Sequence, residues 1–180
     1  MEWGRNHESI AFELYKQNKL SANSDVVVTK SGLWISPEHS FLGASPDAAI
    51  YDPSEKEPYG FAEIKRPYKH RSSSLSVACE DPNFCCRLTM VDGKRQIEIK
   101  KEHLYYSQIQ GQMAVGCRSW SDFVLYILNE VHIQRIYFNV DFWKHELLPK
   151  LIHFYDNCLA PEIIHPMHIL GLPIRDISKE

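Results

Sequence analysis

The sequence predicts a mixed α/β sandwich built in the order helix, three strands, helix, two strands, helix. Three observations predict it. Ile10, Ala11, Leu14 and Tyr15 recur at helical spacing near the start. Short β-branched and aromatic runs punctuated by Gly and Pro fill residues 26–66. Helical spacing then returns at about 102–116, followed by two further strand-like runs and a last helical stretch.

Residues 2–18 read as the first helix. Val26 to Thr29 and Leu33 to Ser36 are short strand candidates, the second stopped by Pro37. Phe41 to Ala44 and Ala48 to Tyr51 form a second strand region broken by Ser45-Pro46-Asp47, and Asp52 to Gly60 is rich in turn formers. Phe61 to Arg66 is the next strand, closed by Pro67. Residues 68–96 are the least regular, with Ser72-Ser73-Ser74 and Asp81-Pro82-Asn83 as loop and Asp92-Gly93 as a tight turn. Glu102 to Gly116 is the second long helix. Phe123 to Leu128 and Val131 to Asn139 read as strands joined at Asn129-Glu130. Asp141 is placed to cap a final helix, Phe142 to about Leu159, which Pro149 would kink. The chain beyond Ala160 is Pro-punctuated and reads as an extended tail. The expected organisation is a single domain, 1–180, with a core of about 2–159, a loop insertion at about 68–101 and a tail at 160–180.

Composition narrows the function classes. With 180 residues, 44% hydrophobic and 24% charged, the chain can bury one core and has ordinary globular balance. No apolar run approaches the roughly 18 residues of a membrane span. The amphipathic, acid-bearing N-terminus fits neither a signal nor a transit peptide and opens inside a helical pattern, which suggests a trimmed start. Five cysteines, two adjacent at Cys85-Cys86, fit a reduced intracellular protein, with nucleus and cytoplasm unresolved. A net charge of −3 means that any nucleic-acid contact must come from a local basic patch. Two patches qualify: Lys65, Arg66, Lys69, His70 and Arg71, and then Lys94, Arg95, Lys100 and Lys101. Each also reads as an ordinary solvated face.

The chemistry concentrates around Gly60-Phe61-Ala62-Glu63-Ile64-Lys65. Strand residues two apart share a face, so Glu63 and Lys65 project side by side from a strand that otherwise looks buried. The bend at Asp47 can place a second carboxylate beside Glu63. Two close carboxylates repel unless a proton or a cation sits between them, and hard oxygen donors suit Mg2+ or Mn2+. An adjacent lysine orients water or stabilises charge on a phosphoryl group, as in metal-assisted phosphodiester hydrolysis. Tyr105, Gln108 and Gln112 fall on one helical face, and Tyr106, Ile109 and Met113 form a neighbouring apolar stripe. An isolated Glu-x-Lys is more often a surface ion pair, so the wider pattern decides.

That pattern is Ser45-Pro46-Asp47, then Gly60-x-x-Glu63-Ile64-Lys65-x-Pro67, then Tyr105-Tyr106-x-Gln108-x-Gln110-Gly111-Gln112-Met113, preceded by Trp3-Gly4-x-x-x-Glu8-x-x-Ala11. Over about residues 2–140 it resembles the lambda-type exonuclease (YqaJ-like viral recombinase) family of the PD-(D/E)XK nuclease superfamily. The resemblance implies a restriction-endonuclease-like mixed sheet flanked by helices, with a core order of helix, three strands, helix, strand. It implies a Mg2+-dependent exonuclease, Mn2+ substituting, that digests linear double-stranded DNA from the 5′ end in recombination and repair. Glu8, Asp47, Glu63 and the Ile64 carbonyl would hold one or two ions. Asp47, Glu63, Lys65 and Gln108 would carry catalysis. Arg66, Lys69, Arg71, Tyr105 and Gln112 would contact DNA. Some family members form trimeric rings and work with a single-strand annealing protein; no membrane is implied. The alternatives are an endonuclease with the same centre and a non-catalytic DNA-binding or scaffold module.

The chain departs from the family pattern in two places. It begins at the acid-bearing helix, so a preceding segment that grips the DNA end is expected to be missing or shortened. The stretch from Tyr68 to Lys101 is long and carries Cys79, Cys85 and Cys86. With His70 or His103 these could be weighed as zinc ligands, but their spacing matches no standard pattern, and they read as buried or loop thiols. His132, near Arg135, reads as structural or surface before DNA-facing. His145 and His153 read as ordinary helix residues, and Trp120, Trp143 and Phe142 as core or interface.

Overall fold

Five strands are joined edge to edge in the order β1 (Val27–Lys30), β4 (Ala48–Tyr51), β5 (Tyr59–Lys65), β8 (Trp120–Ile127), β9 (Glu130–Tyr137). The computed structural model describes residues 2–127 and 130–175, with side chains from Ser9 onward. The β5–β8 pairing is parallel and the others are antiparallel. This is the expected mixed α/β architecture. Two short ladders, β2 (Trp34–Ile35) with β3 (Gly43–Ala44) and β6 (Cys86–Val91) with β7 (Lys94–Ile99), stand beside the main sheet.

The sheet is covered on both faces, which is why its interior strand β8 is buried along its whole length. Helix α1 (Glu2–Ala22) covers one face through Ala11, Phe12 and Tyr15, which pack with Val28, Ile50, Ala62, Ile64, Trp120 and Val124. Ile10, expected in that stripe, is 47% exposed, and Phe12 takes its place because the buried face is turned further round the helix. Helix α3 (Leu104–Gly116) covers the other face and buries the expected stripe Tyr106, Ile109 and Met113. Alternation along β5 therefore sends Ala62 and Ile64 toward α1, and Phe61, Glu63 and Lys65 toward α3.

Other segments differ from the sequence expectation for local reasons. The stretch read as loop contains a short helix, α2 (Leu75–Ala78), capped by the Ser74 hydroxyl, and the β6–β7 hairpin. The signal was the alternation Cys86, Leu88, Met90 and Ile97, Ile99 around the Asp92-Gly93 turn, whose two residues both have positive φ. Asn139, not Asp141, caps the helical segment that follows: its Oδ1 accepts the Phe142 N–H at 3.0 Å. That segment runs through α4 (Val140–Phe142), α5 (Leu148–Phe154) and α6 (Ala160–Ile164), with π-helical turns at Trp143–Leu147 and Tyr155–Leu159. Pro149 and Pro161 each stand just after a π-helical turn, where the regular helical ladder is already interrupted. The expected extended tail is thus helical to Ile164, with a further 3-10 turn at Met167–Leu170. The chain divides into two compact units, Met1–Phe138 and Asn139–Glu180, where the sequence reads one domain. No helix among the described residues is long and apolar enough to cross a membrane.

Beneath α1 lies a buried ionic cluster. Asp122 on β8 accepts from the Tyr15 hydroxyl (2.7 Å) and from Arg135 Nε (2.8 Å) and Nη2 (3.1 Å), and pairs with Lys19 (3.2 Å). Burial and then the Asp122 carboxylate push the Tyr15 hydroxyl far above its ordinary value, so it stays a donor. Arg135 also meets Asp52 and Glu55 and lies over the Trp120 ring, 3.7 Å from its centroid. Trp120 reaches this position because Gly60 leaves room for it: a Cβ there would lie 2.4 Å from the indole ring. Gly60→Ala is therefore expected to destabilise unit Met1–Phe138 by about 1–3 kcal/mol. Thermal melting followed by tryptophan fluorescence checks this; a melt identical to wild type would mean the indole shifts freely.

Candidate active site

β5 and α3 bring the predicted residues to one place. Glu63 is 3% exposed. Its Oε1 accepts from Lys65 Nζ at 2.6 Å and from Gln108 Nε2 at 2.7 Å, and its Oε2 accepts from Gln112 Nε2 at 2.7 Å. The Lys65 ammonium lies 4.7 Å from the centroid of the Tyr105 ring. Glu63 and Lys65 share a face because they are two apart on a strand. Tyr105, Gln108 and Gln112 meet them because they follow one helical face.

Asp47 arrives by strand register. β4 pairs antiparallel with β5, Ala48 opposite Ala62, so the residue before β4 falls beside Glu63. Asp47 N–H donates to the Ala62 carbonyl at 3.1 Å, and its Oδ2 accepts the Ile64 N–H at 2.6 Å. Asp47 and Ile64 open onto a cavity of about 440 Å³ shared with Ser9, Lys30, Ser31 and Ser45. Glu8 belongs to α1, but its side chain lies outside the described residues.

The donor chemistry fits a hard cation. An ionised carboxylate offers about four lone-pair sites. On Glu63 three are filled, so one remains on Oε2; the donors filling them are two neutral amides and a lysine. Asp47 supplies a second carboxylate on the neighbouring strand, and Mg2+ needs only one or two carboxylates besides carbonyl and water oxygens. Among the described residues no group of three His, Cys, Asp or Glu side chains converges on a metal position. The fit therefore rests on the Asp47–Glu63 pair and the backbone at Ile64.

The expected DNA contacts fare differently. Gln112 is buried and committed to Glu63, which corrects its assignment to DNA: the amide faces the carboxylate, not solvent. Its Oε1 is buried without a hydrogen-bond partner, so the side chain serves Glu63 at the expense of its own carbonyl. Lys69 is exposed and pairs with Asp81 at 2.6 Å. Arg71 folds over the Tyr68 ring, and Arg66 lies over the Tyr126 ring. Cys85 and Cys86 are buried thiols with sulfurs 3.9 Å apart, and Cys79 is half-buried. His132 is half-buried on β9.

Two residues were missed in the sequence. Gln110, fully buried, donates to the Tyr137 carbonyl at 3.0 Å and ties α3 to the end of β9. His103 caps α3: its Nδ1 accepts the Tyr105 N–H at 3.1 Å, and its ring stands edge-on to Tyr105 at 4.6 Å. A polar residue directly before Leu104 was the available signal.

A family model, the YqaJ-like viral recombinase domain, matches residues 1–119. No curated protein sequence matches the chain. Among solved structures, an alkaline exonuclease from Laribacter hongkongensis (LHK-Exo) is similar, with 23% identity and a TM-score of 0.59 over 95% of this chain and 74% of that one. LHK-Exo in complex with dAMP gives 23% identity and a TM-score of 0.62 over 95% of this chain and 73% of that one. At that identity the likeness establishes a shared fold.

The His103 cap carries a pH dependence. Burial, and then Lys100, hold its imidazole below the free value of 6.5. A depressed value means the folded form binds fewer protons, so the cap contributes fully above pH 6.5 and is lost as pH falls below it. Between pH 7.5 and 5, thermal stability should drop in wild type and lose this component in His103→Asn, which caps at every pH. His103→Ala should cost about 1 kcal/mol at pH 7.5. Identical pH profiles for wild type and His103→Asn would remove the cap from the account.

Proposed function

The chain belongs to the YqaJ-like viral recombinase family, and from that premise we propose that it is a Mg2+-dependent deoxyribonuclease that hydrolyses linear double-stranded DNA from its 5′ ends. The observation that carries this reading is the buried Glu63 carboxylate, held by Lys65, Gln108 and Gln112, with Asp47 beside it by strand register and lining a cavity. The shared fold with an alkaline exonuclease supports it.

Asp47, Glu63 and the Ile64 carbonyl would hold the ion, with Glu8 a further candidate from α1. Bound there, Mg2+ supplies a polarised phosphodiester and an activated water. The chain's own residues do the rest. Glu63 fixes the Lys65 ammonium by a 2.6 Å hydrogen bond, so the lysine is aimed before substrate arrives. From that position it orients the attacking water and stabilises the charge that grows on the phosphoryl oxygens. Gln108 shares Glu63 Oε1 with the lysine, and Gln112 holds Oε2 from the buried side; together they keep the carboxylate from swinging. Tyr105 lines the lysine's other flank. The family that the chain belongs to supports a role in DNA recombination.

The test is a time course on a linear duplex labelled separately at each 5′ and 3′ end, with Mg2+ and then with chelator, beside a covalently closed circle. Loss of label from 5′ ends first, none on the circle and none with chelator, is expected. Cutting of the circle would make the enzyme an endonuclease, and loss from 3′ ends would reverse the polarity. Lys65→Ala should lower the rate by about 10²-fold or more while DNA binding persists; wild-type cleavage by that variant would sink the mechanism. Gln112→Met, which keeps volume and removes the donor, should weaken Mg2+ binding or activity by about 10- to 100-fold. Calorimetric titration with Mg2+ separates the two effects.

A further inference from the structure

The β6–β7 hairpin is unused by the site as described. It is a two-stranded ribbon of six residues per strand, roughly 20 Å long. Its base is fixed and its tip is free. Cys86 and Ile99, paired at the base, are buried, whereas Leu88 is 37% and Met90 65% exposed. The Ile99 N–H donates to Gln134 Oε1 on β9 at 2.8 Å, and the Lys100 N–H donates to the Cys85 carbonyl at 2.8 Å. From Ile99 the chain reaches α3, the helix that carries Gln108, within a few residues. The ribbon is thus rooted beside the active site.

Its charge runs against that of the chain. Residues 86–101 carry five basic side chains (Arg87, Lys94, Arg95, Lys100, Lys101) and two acids (Asp92, Glu98), in a protein of net charge −3. Arg87 meets Glu102 at 3.8 Å, both exposed, a pairing worth little in water. Lys100 Nζ donates to the Pro82 carbonyl, which leaves its charge uncompensated. Lys94, Arg95 and Lys101 are exposed, and among the described residues none has a carboxylate partner within ion-pair distance. By register Lys94 sits with Val91 on one face of the ribbon and Arg95 with Met90 on the other. The major groove of a duplex admits a two-stranded ribbon, and cations on both of its faces reach the phosphates to either side.

We infer that the β6–β7 hairpin is a cationic arm that holds the phosphate backbone of the duplex substrate next to the active site. The inference rests on the DNA-nuclease reading above. Binding to a labelled linear duplex is measured by fluorescence anisotropy across a salt series, with chelator present so that nothing is cut. Lys94→Ala/Arg95→Ala should weaken binding severalfold and reduce the slope of log affinity against log salt by about 2, one per lost phosphate contact; adding Lys101→Ala should bring the reduction to about 3. Lys144→Ala/Lys150→Ala, which removes two charges from the other compact unit, should leave the slope unchanged. Circular dichroism and melting check that the variants fold; all three hairpin positions are exposed. Wild-type binding with an unaltered slope in the hairpin variants overturns this inference alone, and would leave the ribbon to a protein partner. A wild-type protein that neither binds nor cuts DNA overturns the nuclease reading and this inference together.

Discussion

Everything about the site depends on one buried carboxylate being solvated by protein groups and held still. Taking a carboxylate out of water costs several kcal/mol unless hydrogen bonds or charges replace its hydration. Glu63 meets that demand from two elements at once: Lys65 from its own strand, and Gln108 with Gln112 from α3. The bonds that solvate Glu63 also fix where α3 lies on the sheet. Gly116 at the far end of the helix completes the fit, since a Cβ there would lie 2.4 Å from the Phe61 ring. Packing and chemistry are therefore set by the same contacts.

The backbone contributes as much as the side chains. Asp47 has no secondary structure of its own, yet it is held at both ends of its residue: its N–H by Ala62 and its Oδ2 by the Ile64 N–H. The aspartate acts as an extra rung of the β4–β5 ladder. A carboxylate placed this way cannot drift from Glu63 unless the ladder opens. The second acid is thus positioned by register, and the hairpin turn from Asp52 to Pro58, closed by a 2.7 Å backbone bond, is what sets the register.

Much of this was legible in the residues. Strand alternation placed Glu63 beside Lys65, helical spacing placed Tyr105, Gln108 and Gln112 together, and the Pro-bounded bend located Asp47. What was not legible depends on which way a face turns. The first helix is amphipathic under two nearby rotations, and only its seat on the sheet chooses Phe12 over Ile10. Gln112 and Gln108 look equivalent in the sequence, yet one is buried behind Glu63 and the other is exposed, because helical spacing alone does not fix how deep each turn lies against the sheet. The β6–β7 hairpin was missed because its charges spoke louder than the weak alternation of Leu88, Met90 and Ile97. The ion pair between β8 and β9 joins Asp122 to a residue 13 positions later, a distance at which sequence spacing carries no signal.

The two buried acids flanking the β5–β8 pair show what separates a structural carboxylate from a functional one. Ala62 pairs with Asp122 and Glu63 with Phe123, so the acids stand one rung apart on opposite faces. Asp122 is met by Arg135 through two nitrogens, by Lys19 and by Tyr15, three of these contacts on Oδ2 and one on Oδ1, and both cations are shared with Asp52. The cluster ties α1, β8 and β9 together. Glu63 is met mostly by neutral amides, which solvate an anion without cancelling it. It retains one open lone pair on Oε2, one strand over from Asp47. Glu63 meets one cation and keeps an acceptor site, whereas Asp122 is held by two cations that tie three elements together.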